Sequence, residues 1–255
     1  DELSASKKLF SFIKKNHKFK TLSFETISAI GKNAAIPHYR VTKKSKLKFS
    51  KNKIYLVDSG AQYFDGTTDI TRTIVLGKAS NEQKDRFTRV LKGHIKLAKK
   101  IFSQRTKSYE LDFLARKSLL EVDCDYDHGT GHGVGSFLNV HEGPQRLSKF
   151  AKSKSDCFLP GMILSNEPGY YKKNSYGIRI ENLIIVKLKN KKSLYFETIS
   201  FAPIDKDLID NSLLDLDEIE WLNNYHKKVY ENLNKNLTLN EKRWLNKVTQ
   251  PIKKN

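Results

Sequence analysis

"IYLVDSGAQYFDGTTDITRTIVLG", residues 54–77, decides how this chain folds. Two runs rich in β-branched residues flank a turn-rich centre, a pattern that predicts paired strands. Each run carries an aspartate where an apolar residue belongs: Asp58 follows Ile-Tyr-Leu-Val, and Asp69 sits within Thr-Thr-Asp-Ile-Thr. A bare carboxylate in such a place is expensive to desolvate. Its compensation must come from elsewhere in the chain. A loop over 61–66 sets Asp58 opposite Asp69; a tight turn at Asp65 and Gly66 would misalign them.

Working outward, residues 3–15 read as a helix with Leu9, Phe12 and Ile13 on one face. "TLSFETISAIG" (21–31) reads as a strand ending at Gly31, and "KNAAIPHYR" as a loop bearing His38. Downstream, Ser80 and Gln83 form a capping-box pattern, opening a helix with Phe87, Val90, Leu91, Ile95 and Ala98 on its core face. A second helix is expected over 111–120. "DHGTGHGVGSFLNVHEGP" (127–144) is glycine-rich, and "GMILSNEPGYY" (161–171) and "YGIRIENLIIVKL" (176–188) read as strands. In the last, Arg179 and Glu181 share a face by strand alternation. After about residue 203 the pattern becomes helical. Leu222, Tyr225, Val229 and Leu233 form one stripe, and a capping box at Thr238 and Glu241 opens a short helix with Trp244, Leu245 and Val248. The expected organisation is a catalytic domain over 1–202 and a helical extension over 203–255.

Four acids lie in apolar, strand-like contexts: Asp58, Asp69, Glu167 and Glu181. One such acid commonly caps a turn or pairs with an arginine. Four converging carboxylates raise one another's pKa unless cations neutralise them, and Arg72 and Arg179 cannot balance four. Two divalent metals would. Of the histidines, His17, His94 and His226 lie in helical or lysine-rich contexts and read as structural or solvent-facing. His128, His132 and His141 cluster in the glycine-rich stretch. Oxygen ligands with one imidazole suit Mn²⁺, Co²⁺ or Fe²⁺ better than a thiolate-rich zinc site, and no CxxC pair exists. A metal pair about 3.5–4 Å apart can activate a shared water, for amide or phosphoester hydrolysis; local composition does not choose between them.

Composition bounds the rest. The chain has 255 residues, room for one large domain or a domain with an appendage. No apolar run reaches the length of a membrane span. Cys124 and Cys157 suggest no disulfide framework, which favours a reducing compartment. The chain begins Asp-Glu-Leu without Met, as expected of a fragment or processed product. A net charge of +19 raises nucleic acid as a partner, yet the lysines are scattered without the interleaved aromatics of a base-stacking platform. A lysine-rich surface is the preferred explanation.

The stretches "DSGAQYFDGTTDITRT", "HGTGHGVGSFLNVHEGP", "SNEPGYY" and "GIRIEN" resemble aminopeptidase P, the Xaa-Pro aminopeptidase of the M24-type pita-bread metallopeptidases. The likeness runs from about residue 20 to the C-terminus, with aspartates 11 apart, a histidine, then glutamates 14 apart. Methionine aminopeptidases and prolidases share that frame. The tail resembles the extension of the long, three-domain type, whose two N-terminal domains and opening helix are not seen in this sequence. The resemblance implies an α+β fold, with a curved, mostly antiparallel sheet flanked by helices and a C-terminal helical extension. It implies that Asp58 chelates one metal, that Asp69 and Glu181 bridge two, and that His132 and Glu167 complete the second site, Glu167 also serving as general base. His141 would hydrogen-bond the scissile carbonyl, His38 and His128 would line the pocket and assist proton transfer, and Arg179 would hold the acids. Tyr63 and Arg72 lie in matching segments without an assigned role. The implied activity releases the first residue from peptides with proline second. The alternatives are a prolidase-type Xaa-Pro dipeptidase and a pita-bread pseudoenzyme binding nucleic acid. Two divalent ions (Mn²⁺ first, then Co²⁺, Fe²⁺ or Zn²⁺), a homodimer, a cytoplasmic location and no membrane partner complete the expectation.

Overall fold

The computed structural model of the chain describes residues 1–137, 139–151 and 157–254; residue 138 of the histidine-bearing stretch lies outside them. Helix α1 (Glu2–Ile13) starts at a reciprocal capping box between Asp1 and Ser4, which satisfies amides that have no intrahelical partner. The Glu2 carboxylate turns inward and accepts from Ile30 N and Leu47 N, each at 2.7 Å. Phe12, expected on the buried face, is 52% exposed. The Lys8 and Lys15 ammonium groups lie 5.0 and 5.1 Å from its ring centre, a solvent-side cation–π contact in place of burial.

The strand expected over 21–31 is two, β1 (Phe19–Leu22) and β2 (Ile27–Ile30). Between them Ser23 N donates to Gly60 O at 3.1 Å and Ser23 Oγ to Thr68 O at 3.0 Å, drawing the backbone from one ladder into another. β2 pairs with β3 (Lys53–Ser59), and β1 pairs with β4 (Ala61–Tyr63). β4 folds back on β5 (Gly66–Thr67), and β3 pairs with β6 (Ile70–Leu76). The expected loop over 61–66 is thus largely a hairpin, turning at Phe64 and Asp65. Tyr63 faces Gly66 and Ser59 faces Ile70, so inner and outer ladders share one register. That register sets Asp58 opposite Thr71 rather than Asp69. The expected pairing is off by two residues, which is the side-chain period of a strand, so both aspartates still face one cleft. Gly60 marks the interruption: a Cβ there would overlap Thr68 O and the Ser23 hydroxyl.

Helix α2 (Asn81–Ala98) opens at the expected capping box of Ser80 and Gln83 and buries Phe87, Val90, Leu91 and Ile95. After β7 (Ile101–Ser103), α3 (Ser108–Leu120) begins before residue 111, because Glu110 reaches back to accept from Lys107 N at 2.8 Å. β8 (Gly131–His132) pairs with β9 (Arg146–Leu147).

The two strands expected over 161–171 and 176–188 are each broken, giving β10 (Ile163–Asn166), β11 (Gly169–Lys172), β12 (Tyr176–Arg179) and β13 (Asn182–Asn190). Asn166 faces Asn182 and Gly169 faces Arg179. One register therefore spans both ladders, and it sets Glu167 opposite Glu181 where the hairpin opens. Pro168 has no N–H to offer a ladder at that point. β13 continues to β14 (Ser193–Thr198), which pairs with β7, and every pairing is antiparallel.

The tail supplies α4 (Leu216–Leu233) and α5 (Leu239–Val248). Leu222, Tyr225, Val229 and Leu245 join Phe87, Val90, Leu91 and Ile95 in one apolar cluster, so the tail packs on α2. Trp244, expected on the core face of the last helix, is 57% exposed; Leu245 alone of that helix is buried. Cys124 and Cys157 are free thiols. Among the described residues no helix is long and apolar enough to cross a membrane.

Candidate metal centre

The first hairpin opens at Asp69 and the second at Glu167 and Glu181, and these acids face one cavity of about 480 Å³. Asp58 comes from the end of β3, Asp69 from just before β6, and His132 from β8. Glu167 and Glu181 come from the break in the second hairpin, and all five line the cavity. His132 Nε2 lies 3.4 Å from Asp69 Oδ2 and 3.3 Å from Glu167 Oε1. Asp69, His132 and Glu181 offer ligand atoms within 4.8 Å of one another.

His38, His128, His141 and Arg179 line the same cavity. The structure thus brings these residues named from the sequence to one cavity. The sequence reading missed Thr71, Ser165 and Tyr171, which orient them. Thr71 Oγ1 donates to Glu181 Oε2 at 2.7 Å, and Ser165 Oγ donates to Glu167 Oε1 at 3.0 Å. The Gly129 carbonyl takes the His128 Nδ1 proton at 2.7 Å, which leaves His128 Nε2 to accept from Tyr171 OH at 2.9 Å. Tyr171 in turn accepts from Arg179 Nη1 at 2.7 Å. The available signal for Tyr171 was its place in "SNEPGYY", four residues beyond Glu167.

The electrostatics follow from crowding. Burial, then the charges of Asp58 and Glu167, push the Asp69 carboxyl well above its usual range. Burial and the charge of Asp69 do the same to Glu181, and burial raises Glu167. Burial holds His128 neutral with a pKa lowered to about 3; burial and the neighbouring His132 lower His141 to about 4. Burial pushes the Tyr171 phenol up to about 12. The His141 ring centre lies 4.1 Å from that of His132.

These residues fit a pair of divalent ions. Asp58 Oδ1 is fully buried and has no hydrogen-bond partner among the described residues, a costly state for a carboxylate oxygen. Among the described residues, Arg179 is the guanidinium that reaches these acids from inside the cavity, at 2.7 Å from Asp58 and 3.9 Å from Glu167. Its single charge leaves most of the four carboxylates uncompensated. Oxygen donors with one imidazole suit Mn²⁺, Fe²⁺ or Co²⁺.

The profile of metallopeptidase family M24 matches residues 1–187, and that of the C-terminal region of peptidase M24 matches residues 192–252. The chain is 43% identical to aminopeptidase P1 of Arabidopsis thaliana over 258 residues, which cover 98% of this chain and 40% of that protein. Among solved structures it is similar to the X-prolyl aminopeptidase of Caenorhabditis elegans, described as a cytosolic enzyme with a di-nuclear active site. The TM-score there is 0.93 and the identity 39%, over 98% of this chain and 42% of that one. An Xaa-Pro dipeptidase from Bacillus anthracis matches with a TM-score of 0.69 and 29% identity, over 80% of this chain and 54% of that one. The chain spans about two-fifths of the length of the curated relatives it matches. The α+β, antiparallel architecture is that of the pita-bread metallopeptidases. The first profile runs unbroken through most of the sequence, and on that ground the chain belongs to metallopeptidase family M24.

Proposed function

We propose that this chain carries the catalytic site of a dinuclear aminopeptidase that releases the first residue of peptides with proline second. One observation carries this: four carboxylates and an imidazole from separate stretches converge on one cavity, with Asp58 Oδ1 buried and unmatched among the described residues. Asp58 would hold one ion, Asp69 and Glu181 both, and His132 with Glu167 the other. When bound, two divalent ions (Mn²⁺ first, with Co²⁺, Fe²⁺ or Zn²⁺ as substitutes) would acidify a shared water, polarise the carbonyl and hold the substrate's α-amine.

The side chains then have distinct work. Glu167 takes the proton of the attacking water on its carboxylate, oriented by Ser165 Oγ. Neutral His141 donates to the scissile carbonyl oxygen as charge develops there. The proline nitrogen leaves without a hydrogen of its own, so the proton that Glu167 took must be passed on to it. His38 and His128 line the cavity, and Tyr171 and Arg179 hold His128 in one tautomer. The likeness to the nematode X-prolyl aminopeptidase over 98% of this chain, against 80% for the Xaa-Pro dipeptidase, favours the aminopeptidase over a prolidase. A homodimer and a cytoplasmic location are part of the proposal, the latter supported by the cytosolic description of the nematode relative.

The test is metal content of the purified protein, read beside hydrolysis of Xaa-Pro-Yaa tripeptides, Xaa-Pro dipeptides and an Xaa-Ala-Yaa control. Two ions per chain and cleavage of the proline tripeptide are expected. Cleavage restricted to dipeptides would make it a prolidase.

A further inference from the structure

Behind the two glutamates lies a polar cluster that the proposed chemistry does not use. Arg72, on β6, is only 8% exposed. Among the described residues it has no carboxylate partner, and its guanidinium is spent on neutral acceptors. Nη1 donates to Glu181 O at 2.6 Å and to Thr71 O at 2.8 Å. Nη2 donates to Asn182 Oδ1 at 2.7 Å and to the Tyr225 hydroxyl at 2.8 Å. Nε donates to Pro203 O at 3.0 Å. One rigid fork thus grips the backbone of Glu181, the side chain of the next residue and the start of the C-terminal region.

Tyr225, on α4, closes this arrangement. Its hydroxyl accepts from Arg72 and from Ala202 N at 3.2 Å. Its own proton is within reach of Asn182 Oδ1 at 3.1 Å and Ala202 O at 3.0 Å. Its ring is held independently, stacked on Trp221 at 5.3 Å with an interplanar angle of 1°. On the other side, Asn182 Nδ2 donates to His94 Nε2 at 3.2 Å, and His94 Nδ1 donates to Asn166 O at 3.1 Å. Asn166 and Asn182 are the residues beside Glu167 and Glu181. A continuous buried chain of hydrogen bonds therefore runs from α4 of the tail to both glutamate positions, at the point where the strand ladder is open.

We propose that Tyr225 is a positioning residue of the metal centre: through Arg72 and Asn182 it fixes the strand end that carries Glu181. This rests on the dinuclear function proposed above. At the open ladder Glu181 no longer pairs with Glu167: its N–H goes to Thr71 O at 3.2 Å, and its carbonyl is held by Arg72. A bridging carboxylate tolerates little displacement, and partners that orient ligands typically govern metal affinity by about 10–100-fold. The C-terminal region thereby acts on the site without entering the cavity.

The experiment is titration of the metal-free chain with Co²⁺, followed by its d–d absorbance, for wild type, Tyr225→Phe, Arg72→Lys and the surface control Lys228→Ala. Tyr225→Phe keeps the stacked ring and removes one hydroxyl. Its metal-free melting temperature should stay close to wild type, while the binding of one ion weakens about tenfold. Arg72→Lys keeps the charge but loses the fork, and should weaken binding at least as much; it decides the matter if Tyr225→Phe does not fold. Two-ion titrations of Tyr225→Phe and Arg72→Lys that superpose on wild type overturn this assignment and leave the dinuclear function standing. A wild-type chain that takes up no pair of ions brings down both.

Discussion

Arg179 donates from Nη2 to Asp58 Oδ2 at 2.7 Å, and the two are buried together at the inner end of the cleft. The bond satisfies one oxygen of the aspartate and leaves Oδ1 without a partner among the described residues. The same guanidinium gives Nη1 to Tyr171 and Nε to Thr71 Oγ1 at 3.2 Å. It therefore sets the angle of a candidate metal ligand, the tautomer of His128 through Tyr171, and the hydroxyl that orients Glu181.

Arg179→Lys should lose most of this, because an ammonium cannot present a planar fork to three acceptors. The expected result is a 10–100-fold loss of metal affinity, with His128 released from its tautomer. Metal titration and hydrolysis of a proline tripeptide check it. Wild-type values in both would show that Arg179 only neutralises charge.

Glu181→Gln keeps the shape and the Thr71 bond but removes one of the charges that would hold the two ions. Bound metal should fall below two ions per chain, and tripeptide hydrolysis should fall by at least about 10–100-fold. Two retained ions with full turnover would remove Glu181 from the bridging position.

His141→Ala should lower kcat by roughly 10²–10³ with smaller change in KM, as expected for a donor to a developing oxyanion. Metal content should stay at the wild-type value, since His141 is not among the proposed ligands. An unchanged kcat would remove it from that role.

The acids were legible in the sequence because burial makes a carboxylate conspicuous: Asp58 and Asp69 stand where apolar residues belong. Their convergence survived a wrong register, because an error of two residues preserves which side of a strand faces the cleft. The strand breaks at Ser23 and at Glu167 were not legible. They depend on tertiary bonds, such as Ser23 to Gly60 and Thr68, between segments far apart in sequence. Arg72, His94 and Tyr171 were also underread, because a polar residue bonded to neutral partners leaves no local pattern. Periodicity placed Phe12 and Trp244 inside, but among the described residues no neighbouring element covers either enough to bury it.

Gly93 illustrates a constraint that only packing reveals. It lies on α2 where α3 crosses, and a Cβ there would overlap the Ala115 carbonyl. Backbone cannot yield as a flexible side chain can. Gly93→Ala should therefore destabilise by about 1–3 kcal/mol, although alanine is the better helix former. Urea denaturation of the metal-free chain measures it, and a stabilised variant would mean that the two helices can separate at little cost.

His226 predicts how stability depends on acid. Its Nε2 accepts from Ile204 N at 3.1 Å in a buried position. Burial, followed by the charges of Lys206 and Arg72, lowers its pKa from 6.5 to about 4. The folded state therefore keeps this imidazole neutral where the unfolded chain protonates it. Between pH 6.5 and about 4 the unfolded state binds more protons, so stability is full above that window and drains as pH falls through it. The contribution is about 2–3 kcal/mol at the lower end. His226→Gln can retain an acceptor for Ile204 N without titrating. Urea midpoints of the metal-free proteins at pH 7, 5.5 and 4.5 should fall less steeply for the variant, by up to one proton's worth of slope. Other buried histidines, His94 among them, slope the same way in both proteins and cancel in the comparison. Parallel curves would mean that His226 protonates in the folded state at its ordinary pKa.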